Sequence, residues 1–178
     1  TGYGIYSKGV DAVNDVLGKI SVSSSKAYGI YNDGNIYNKG TITVSGSVAR
    51  GLWLADKGTV INEGVIEVIG NGVYSSGYGG LSEAGEYGIY TPNGDSTVSI
   101  VNKGTIKLTN TNGGTAIKAQ KQIGDFIYNV SDSFANIDNQ GDIIITGKNN
   151  NGIYVYNSSG EGSLKNRGTI SISGTVDK

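Results

Sequence analysis

The acidic side chains are the residues of this sequence best able to do chemistry. A glycan-cleaving site or a calcium site needs two or more carboxylates that converge on one place. The candidates are dispersed and do not recur at one position of a repeat: Asp33, Asp56, Glu63, Glu67, Asp95, Asp138 and Asp142. The Gly- and Asp-rich calcium-binding repeat of some solenoids is absent. We therefore expect no catalytic residues and no metal site.

The remaining composition excludes further classes of site. The 178 residues include no His and no Cys, which excludes a Ser-His-Asp relay, a His-ligated zinc, thiolate chemistry and disulfides. Fourteen Lys and Arg against fifteen acids give a net charge of -1, without the basic face that nucleic acid needs. No apolar run is long enough to span a bilayer. The sequence thus predicts no enzyme, no cofactor, no nucleic-acid binding and no membrane insertion by this chain.

Two short motifs recur along the chain. The first reads Asn-x-Gly-x-Ile/Val-x-apolar and begins at Asn38, Asn62, Asn102, Asn139 and Asn166. The second reads Gly-Ile-Tyr or a relative of it, and is centred on Ile5, Ile30, Leu52, Ile89, Ile117 and Ile153. From the Gly that closes one unit to the next central apolar residue, the separations are 12, 12, 25, 13 and 12 residues. Self-similarity at such a period indicates a solenoid.

The side chains within each unit alternate with the period of a β-strand. In the segment 36–44, Ile, Asn, Gly, Ile and Val share one parity, and mostly Thr and Lys take the other. A unit of 22 to 24 residues, measured between successive motif glycines, has room for three short strands and three turns, which is one coil of a parallel β-helix. We predict an all-β solenoid of about six coils, with 22–27 residues per regular coil, roughly 30 Å long.

The Asn of the first motif has a structural explanation. An inward Asn at a corner can lie above the Asn of the preceding coil and exchange amide hydrogen bonds with it. The sequence predicts a ladder of Asn38, Asn62, Asn102, Asn139 and Asn166. Val16 aligns with the Asn position in the first unit, so we expect the ladder to begin at Asn38. The Gly two residues later is expected to supply a turn or bulge that a side chain would hinder.

The residue after the apolar centre of the second motif should face outward. These residues are Tyr6, Tyr31, Trp53, Tyr90, Lys118 and Tyr154. An aromatic face can stack on sugar rings or anchor a protein partner, and we take Tyr31, Trp53 and Tyr90 as candidate binding residues. The alternative is that the rings stabilise the sheet as a cross-strand aromatic ladder.

Two insertions interrupt the period and are predicted to form loops, at about 70–87 and 120–136. Insertions in solenoids project from the stack, often on the binding face. The first contains the candidate binding residues Tyr74, Tyr78 and Leu81, and the second contains Phe126 and Tyr128. The alternative for the second is that Phe126 and Phe134 fold back and fill a local hollow.

The Asn-x-Gly-x-Ile-x-Val-x-Gly strand alternating with Gly-Ile-Tyr, in a chain without Cys and with one Pro, resembles the passenger domains of Gram-negative monomeric type V autotransporters. The abundance of Asn, Lys, Ile and Tyr is similar to that of the large fusobacterial adhesins. The resemblance implies a right-handed β-helix, exported and displayed at the cell surface from the outer membrane. It also implies that residues 1–178 form one β-helix segment of a longer passenger.

These observations favour a non-catalytic adhesin passenger that attaches to host or bacterial cells through exposed loops on a rigid β-helix. The expected partner is a surface glycan or a protein receptor. Two alternatives stay open, namely a purely structural stalk or spacer and a fragment of a polysaccharide-acting enzyme.

Overall fold

The computed structural model describes residues 1–71, 85–92, 98–122, 130–131, 135–155 and 162–175. Every regular element within these ranges is a β-strand. No helix among them is long and apolar enough to cross a membrane. The strands form three six-stranded parallel sheets, and each coil contributes one strand to each sheet. The fold is a right-handed parallel β-helix of six coils, as predicted.

The strands follow one another coil by coil. The first two coils contain β1 (Gly2–Ser7), β2 (Ala12–Asn14), β3 (Lys19–Ser23), β4 (Lys26–Asn32), β5 (Ile36–Asn38) and β6 (Thr41–Ser45). The next two contain β7 (Val48–Leu54), β8 (Gly58–Asn62), β9 (Val65–Ile69), β10 (Tyr87–Thr91), β11 (Val98–Asn102) and β12 (Thr105–Asn112). The last two contain β13 (Thr115–Ala119), β14 (Lys121–Gln122), β15 (Val130–Ser131), β16 (Asn136–Asn139), β17 (Asp142–Lys148), β18 (Asn151–Val155), β19 (Ser163–Asn166) and β20 (Thr169–Thr175).

The three sheets are named here by their strands. Sheet 1 is β1-β4-β7-β10-β13-β18, sheet 2 is β2-β5-β8-β11-β16-β19 and sheet 3 is β3-β6-β9-β12-β17-β20. The remaining strands, β14 and β15, pair antiparallel with each other. They lie within the insertion predicted at 120–136, where Lys121 pairs with Ser131 and Gln122 with Val130.

The core consists of columns in which each coil places an apolar residue directly above the equivalent residue of its neighbour. In sheet 3 one such column is Ile20, Ile42, Ile66, Ile106, Ile143 and Ile170. Its four inner members are fully buried. The column exists because alternating residues point inward and the parallel register repeats from coil to coil.

The Gly-Ile pair of the second motif bends sheet 1 so that both residues face the core. Gly29 lies over sheet 3, where an added Cβ would be 2.4 Å from Ile42 Cγ2, and Ile30 is fully buried. The tyrosines on either side of this pair, Tyr28 and Tyr31, therefore both point outward. Gly is required here because the backbone of the next coil also approaches closely, with Gly51 O 2.5 Å from the added Cβ.

The predicted Asn ladder is present at the corner between sheets 2 and 3. The Nδ2 of each Asn donates to the Oδ1 of the Asn in the next coil, with N···O distances of 2.7 or 2.8 Å along the series Asn14, Asn38, Asn62, Asn102, Asn139 and Asn166. Asn38, Asn62, Asn102 and Asn139 are fully buried. All five donors point towards the C-terminal end, so the amide dipoles add along the stack.

The prediction that the ladder begins at Asn38 was wrong, because Asn14 forms its first rung. Asn14 pairs in register with Asn38. The first corner has two extra residues between Asn and Gly, and Gly18 N donates to Asp15 O to close it. This longer turn shifted the alignment by which Val16 was assigned to the ladder position, and Val16 is instead exposed.

The Gly that follows each Asn is required by close backbone stacking. An added Cβ on Gly104 would lie 2.0 Å from Gly64 O, and one on Gly64 would lie 2.1 Å from Gly40 O. None of these three glycines has a positive φ, so the expected special turn conformation is not the reason for Gly at this position. The carbonyl of each ladder Asn from Asn14 to Asn139 accepts two backbone N–H groups of the next coil, as Asn62 O does from Lys103 and Gly104.

Replacing Asn102 by Leu should destabilise the fold by about 1–3 kcal/mol, because a buried donor and a buried acceptor lose their partner. Asn102 accepts from Asn62 and donates to Asn139, both at 2.7 Å. Chemical and thermal unfolding of the variant measures the loss. Asn136→Leu is the matched control, since Asn136 is exposed in the same sheet and its replacement should change stability by less than about 0.5 kcal/mol. Equal effects of the two substitutions would contradict a role for the ladder in stability.

Candidate binding surface

The outer face of sheet 1 carries two columns of mostly aromatic side chains. The first column is Tyr3, Tyr28, Arg50, Tyr87, Thr115 and Asn151. The second column is Tyr6, Tyr31, Trp53, Tyr90, Lys118 and Tyr154. The second column is the stripe that the sequence predicts. The first was missed, although the repeated Tyr-Gly-Ile-Tyr at 3–6, 28–31 and 87–90 already contained its signal.

The rings of the two columns pack mainly against one another. Tyr3 stacks on Tyr28 at 4.9 Å between centroids, and Tyr6 stacks on Tyr31 at 5.1 Å. Trp53 meets Tyr31 edge to face at 5.0 Å. Each aromatic pair of this kind contributes about 0.5–1.5 kcal/mol to stability beyond the effect of the buried apolar area. The stacked ring faces are used within the sheet, so a ligand would meet mainly ring edges and phenol groups.

Arg50 lies at the centre of this surface and is fully buried. Its guanidinium carbon is 4.2 Å from the centroid of the Trp53 ring and 4.7 Å from that of Tyr90. Tyr28 and Tyr87 lie on its other sides at 5.4 and 5.5 Å. Aromatic faces stabilise the cation electrostatically, and planar guanidinium is well suited to stack on them.

Lys118 adds a second cation, one coil beyond the rings of Tyr87 and Tyr90. Its Nζ donates to the Tyr87 hydroxyl at 3.1 Å and is 5.6 Å from the Tyr154 ring centroid. Burial, with a smaller effect from the nearby charge of Arg50, lowers the pKa of Lys118 to about 8. Burial likewise raises the pKa of the Tyr87 phenol.

Exposure divides this surface into open ends and a closed centre. Tyr3 and Tyr6 in the first coil are 43% and 53% exposed, and Tyr154 in the sixth is 40% exposed. Tyr31 and Trp53 are half-buried. Tyr90 is buried and accepts a hydrogen bond from Gln120 Nε2 at 3.1 Å, so its phenol already has a protein partner. The other candidate binding residues, Tyr74, Tyr78, Leu81, Phe126 and Tyr128, lie outside the described residues.

Comparison with protein families matches residues 3–130 to the BigA third pectate lyase-like domain. This match covers well over half of the chain. The chain belongs to that family. Neither the curated proteins nor the solved structures gave a match. Membership in the BigA domain family supports a bacterial surface domain of the adhesin passenger type. The narrower resemblance to type V autotransporters and fusobacterial adhesins stays a prediction.

The matched domain is pectate lyase-like, and a glycan-cleaving site on this fold would need converging carboxylates. Glu63 binds Lys103 at 3.0 Å and Glu67 binds Lys107 at 2.9 Å, each pair joining adjacent coils. Asp138 binds the guanidinium of Arg167 in the same way. Within the described residues, no group of three or more Asp, Glu, His or Cys side chains is placed to hold a metal ion. These three carboxylates therefore serve as bridges between coils.

Glu86 differs from the ion-paired carboxylates because its side chain is buried. It precedes Tyr87 as Ala27 and Ala49 precede Tyr28 and Arg50, so a carboxyl occupies a position where two other coils have a small apolar residue. Glu86 is fully buried, and neither carboxyl oxygen has a hydrogen-bond partner within bonding geometry among the described residues. Burial raises the pKa of Glu86 to about 7, while the backbone amides of Glu86 and Asn112 act in the opposite direction.

The elevated pKa of Glu86 makes the stability of the fold pH-dependent. The folded state holds the proton more tightly than the unfolded state, whose Glu ionises near pH 4.5. The stability that the protonated Glu86 carboxyl allows is fully present below about pH 4.5 and is lost as pH rises to about 7. Wild-type protein and Glu86→Gln should therefore differ more in melting temperature at pH 8 than at pH 5, with the wild type relatively weaker at pH 8. A difference that is the same at both values would show that Glu86 is ionised throughout or exposed.

Proposed function

We propose that this domain is a non-catalytic part of a bacterial adhesin, displayed from the outer membrane, which attaches its cell to a host or bacterial surface. Membership in the BigA domain family carries the proposal. The regular stack with its buried Asn ladder provides a rigid support, and attachment takes place at the residues that depart from the regular, ring-packed surface.

The exposed aromatic residues supply one of two proposed contact surfaces. Tyr3 and Tyr6 present about half of their side chains to solvent, with Tyr31 beside them. Each combines an apolar ring with a hydroxyl, which suits contact with either a glycan or a protein receptor. The ring-on-ring packing holds these side chains in fixed positions, so little conformational entropy is lost on binding.

The two insertions supply the other contact surface, and we propose that they confer specificity. The regular columns repeat one residue type from coil to coil and offer few distinctive features. Tyr74, Tyr78 and Leu81 in the segment 70–87, with Phe126 and Tyr128 in the segment 120–136, are the residues proposed to contact the receptor. Their aperiodic sequence supports this assignment, because binding residues concentrate in loops on a rigid scaffold.

The absence of catalysis is part of the proposal. It is supported by Glu63 and Glu67 of the third coil and Asp138 of the fifth, whose carboxylates each bind a Lys or Arg of the adjacent coil. A pair of catalytic carboxylates would instead converge across one glycosidic bond. A polysaccharide-acting enzyme remains the alternative that the pectate lyase-like fold brings with it, and incubation with acidic polysaccharides followed by analysis for shortened products tests it.

A spacer is the second candidate function. The unbroken ladder and the mutual packing of the rings favour it, because both stabilise the stack without requiring any partner. A spacer would hold another part of a longer protein away from the cell. It predicts that the isolated domain binds no cells and no glycans.

Binding of the purified domain to cells and to a glycan array distinguishes these functions. Shortening the segments 70–87 and 120–136 to the length of a regular coil should abolish binding while the β-sheet circular dichroism is nearly unchanged, because loop length affects stability only slowly. Tyr6→Ala and its matched control Tyr37→Ala, a half-buried Tyr on sheet 2, measure the contribution of the aromatic surface. Full binding by the shortened protein together with loss in Tyr6→Ala would transfer the site to sheet 1, and no binding by the intact domain would favour the spacer.

A further inference from the structure

Seven aromatic rings on the outer face of sheet 1 form one connected ring array, in which neighbouring ring centroids lie 4.9–5.8 Å apart. Its members are Tyr3, Tyr6, Tyr28, Tyr31, Trp53, Tyr87 and Tyr90. The chain has no Cys and no Met, the side chains that oxidants usually attack first. Tyr and Trp are therefore the side chains of this protein from which a one-electron oxidant most readily takes an electron.

Trp53 lies in the middle of the ring array but is poorly placed to remain oxidised. Its ring contacts Tyr28 and Tyr31 of the second coil and Tyr90 of the fourth. Loss of an electron leaves the indole positively charged unless its N–H proton departs, and Nε1 is buried without a hydrogen-bond partner among the described residues. The Arg50 guanidinium carbon, 4.2 Å from the ring centroid, adds a second positive charge. An oxidised Trp53 should therefore take an electron from a neighbouring Tyr.

Tyr31 is the neighbour best able to give that electron. A phenol that is oxidised releases its proton, and the proton needs a route to water. Tyr31 is half-buried although coils lie on both sides of it, so part of its side chain reaches solvent. Tyr28 and Tyr90 are only 3% and 1% exposed. Burial raises the pKa of the Tyr31 phenol, so at neutral pH it keeps its proton until it is oxidised.

Tyr6 stacks on Tyr31 and supplies a second phenol for coupling. The two residues pair in register in adjacent coils, with ring centroids 5.1 Å apart and ring planes inclined by 11°. Two phenoxyl radicals held face to face can join through the carbon atoms next to their oxygens. Lys8 Nζ is 5.8 Å from the Tyr6 ring centroid, but it is exposed and screened by water, and a phenoxyl radical carries no charge.

Solvent access distinguishes this pair from the other stacked pair that joins the same two coils. Tyr3 stacks on Tyr28 with ring centroids 4.9 Å apart and planes inclined by 16°. Trp53 contacts Tyr28 as well, at 5.1 Å. Because Tyr28 is almost completely buried, a proton released there has no direct route to water. The geometry therefore favours Tyr6 and Tyr31 as the place where oxidation ends.

We propose that Tyr6 and Tyr31 form an oxidative cross-linking site, at which a peroxide-driven one-electron oxidant joins the first two coils through a carbon–carbon bond, and that Trp53 relays oxidation to it. Each phenol loses one electron and one proton. The two radicals couple, and the displaced ring hydrogens move to the phenol oxygens through solvent. One molecule of hydrogen peroxide takes up both electrons and both protons and becomes two molecules of water. The bond closes a loop between residues 6 and 31, which constrains the unfolded chain as a disulfide does.

Treatment of the dilute unmodified chain with hydrogen peroxide and a peroxidase is the first test. Dityrosine fluorescence should appear while the chain stays monomeric on a denaturing gel. Peptide mapping by mass spectrometry should find the peptides that contain Tyr6 and Tyr31 joined, with the loss of two hydrogen atoms. The treated protein should also unfold at a higher temperature than the untreated protein. Absence of this bond, or a bond confined to other tyrosines, would overturn the proposal.

Tyr6→Phe and Tyr31→Phe test the assignment to these two residues, because each variant keeps the stacked ring and removes the phenol. Both should lose the cross-link and the rise in unfolding temperature after treatment. The matched control is Tyr37→Phe, which removes the phenol of a half-buried Tyr on sheet 2 and should cross-link as the unmodified chain does. Circular dichroism verifies that each variant is folded. An unchanged yield of the cross-link in a folded Tyr31→Phe protein would contradict the assignment.

Pulse radiolysis tests the relay, because azide radicals oxidise Trp in preference to Tyr and Trp53 is the only Trp of the chain. The absorption of the indolyl radical should decay as that of a tyrosyl radical grows, at a rate independent of protein concentration. Tyr31→Phe should slow this transfer several-fold, and Tyr37→Phe should leave it unchanged. A Trp53 radical that decays without forming a tyrosyl radical, or that decays equally fast in Tyr31→Phe, would exclude the relay.

Discussion

The stacking of coils in parallel register is the constraint on which this structure depends. Strands of neighbouring coils lie about 4.8 Å apart, so each side chain meets the residue at the same position of the next coil. A residue type is therefore acceptable when it packs well on itself. Isoleucine on isoleucine fills the core, and Asn on Asn satisfies two buried amides at once. Glycine at the corner allows two backbones to approach where an added Cβ would be 2.0 Å from a carbonyl oxygen.

The same constraint shapes the outer face of sheet 1. Aromatic residues at two outward positions produce rings in two columns, and the rings turn their faces to one another. Arg50 is an unusual member of this array, since it is fully buried with four rings around its guanidinium group. The central part of the face is thus a stabilising element, whereas Tyr3, Tyr6 and Tyr154 in the first and sixth coils are more exposed.

This BigA-type domain differs from a perfectly regular stack at the positions where unlike residues lie on one another. Glu63 and Glu67 of the third coil lie against Lys103 and Lys107 of the fourth, so unlike residues stacked on one another form ion pairs. Glu86 introduces a buried carboxyl where other coils have alanine, and its pKa of about 7 makes this place sensitive to pH. The sequence of the two insertions departs from the repeat, which is why receptor contacts are proposed there, while the columns of the sheets continue in register on either side of them.

The sequence by itself determined the fold class and most of the ladder. Repeat spacing, period-two alternation and the recurring Asn were sufficient to predict them, because a solenoid is built from local units and the same residue pattern recurs in each unit. The tertiary structure alone decided that Asn14, rather than Asn38, is the first rung, since two extra residues at one corner leave the spatial register intact while they shift the sequence alignment. It also decided that Arg50, Tyr90 and Glu86 are buried. Alternation tells which side of a strand a residue takes, whereas its burial depends on what the neighbouring coils and corners place around it.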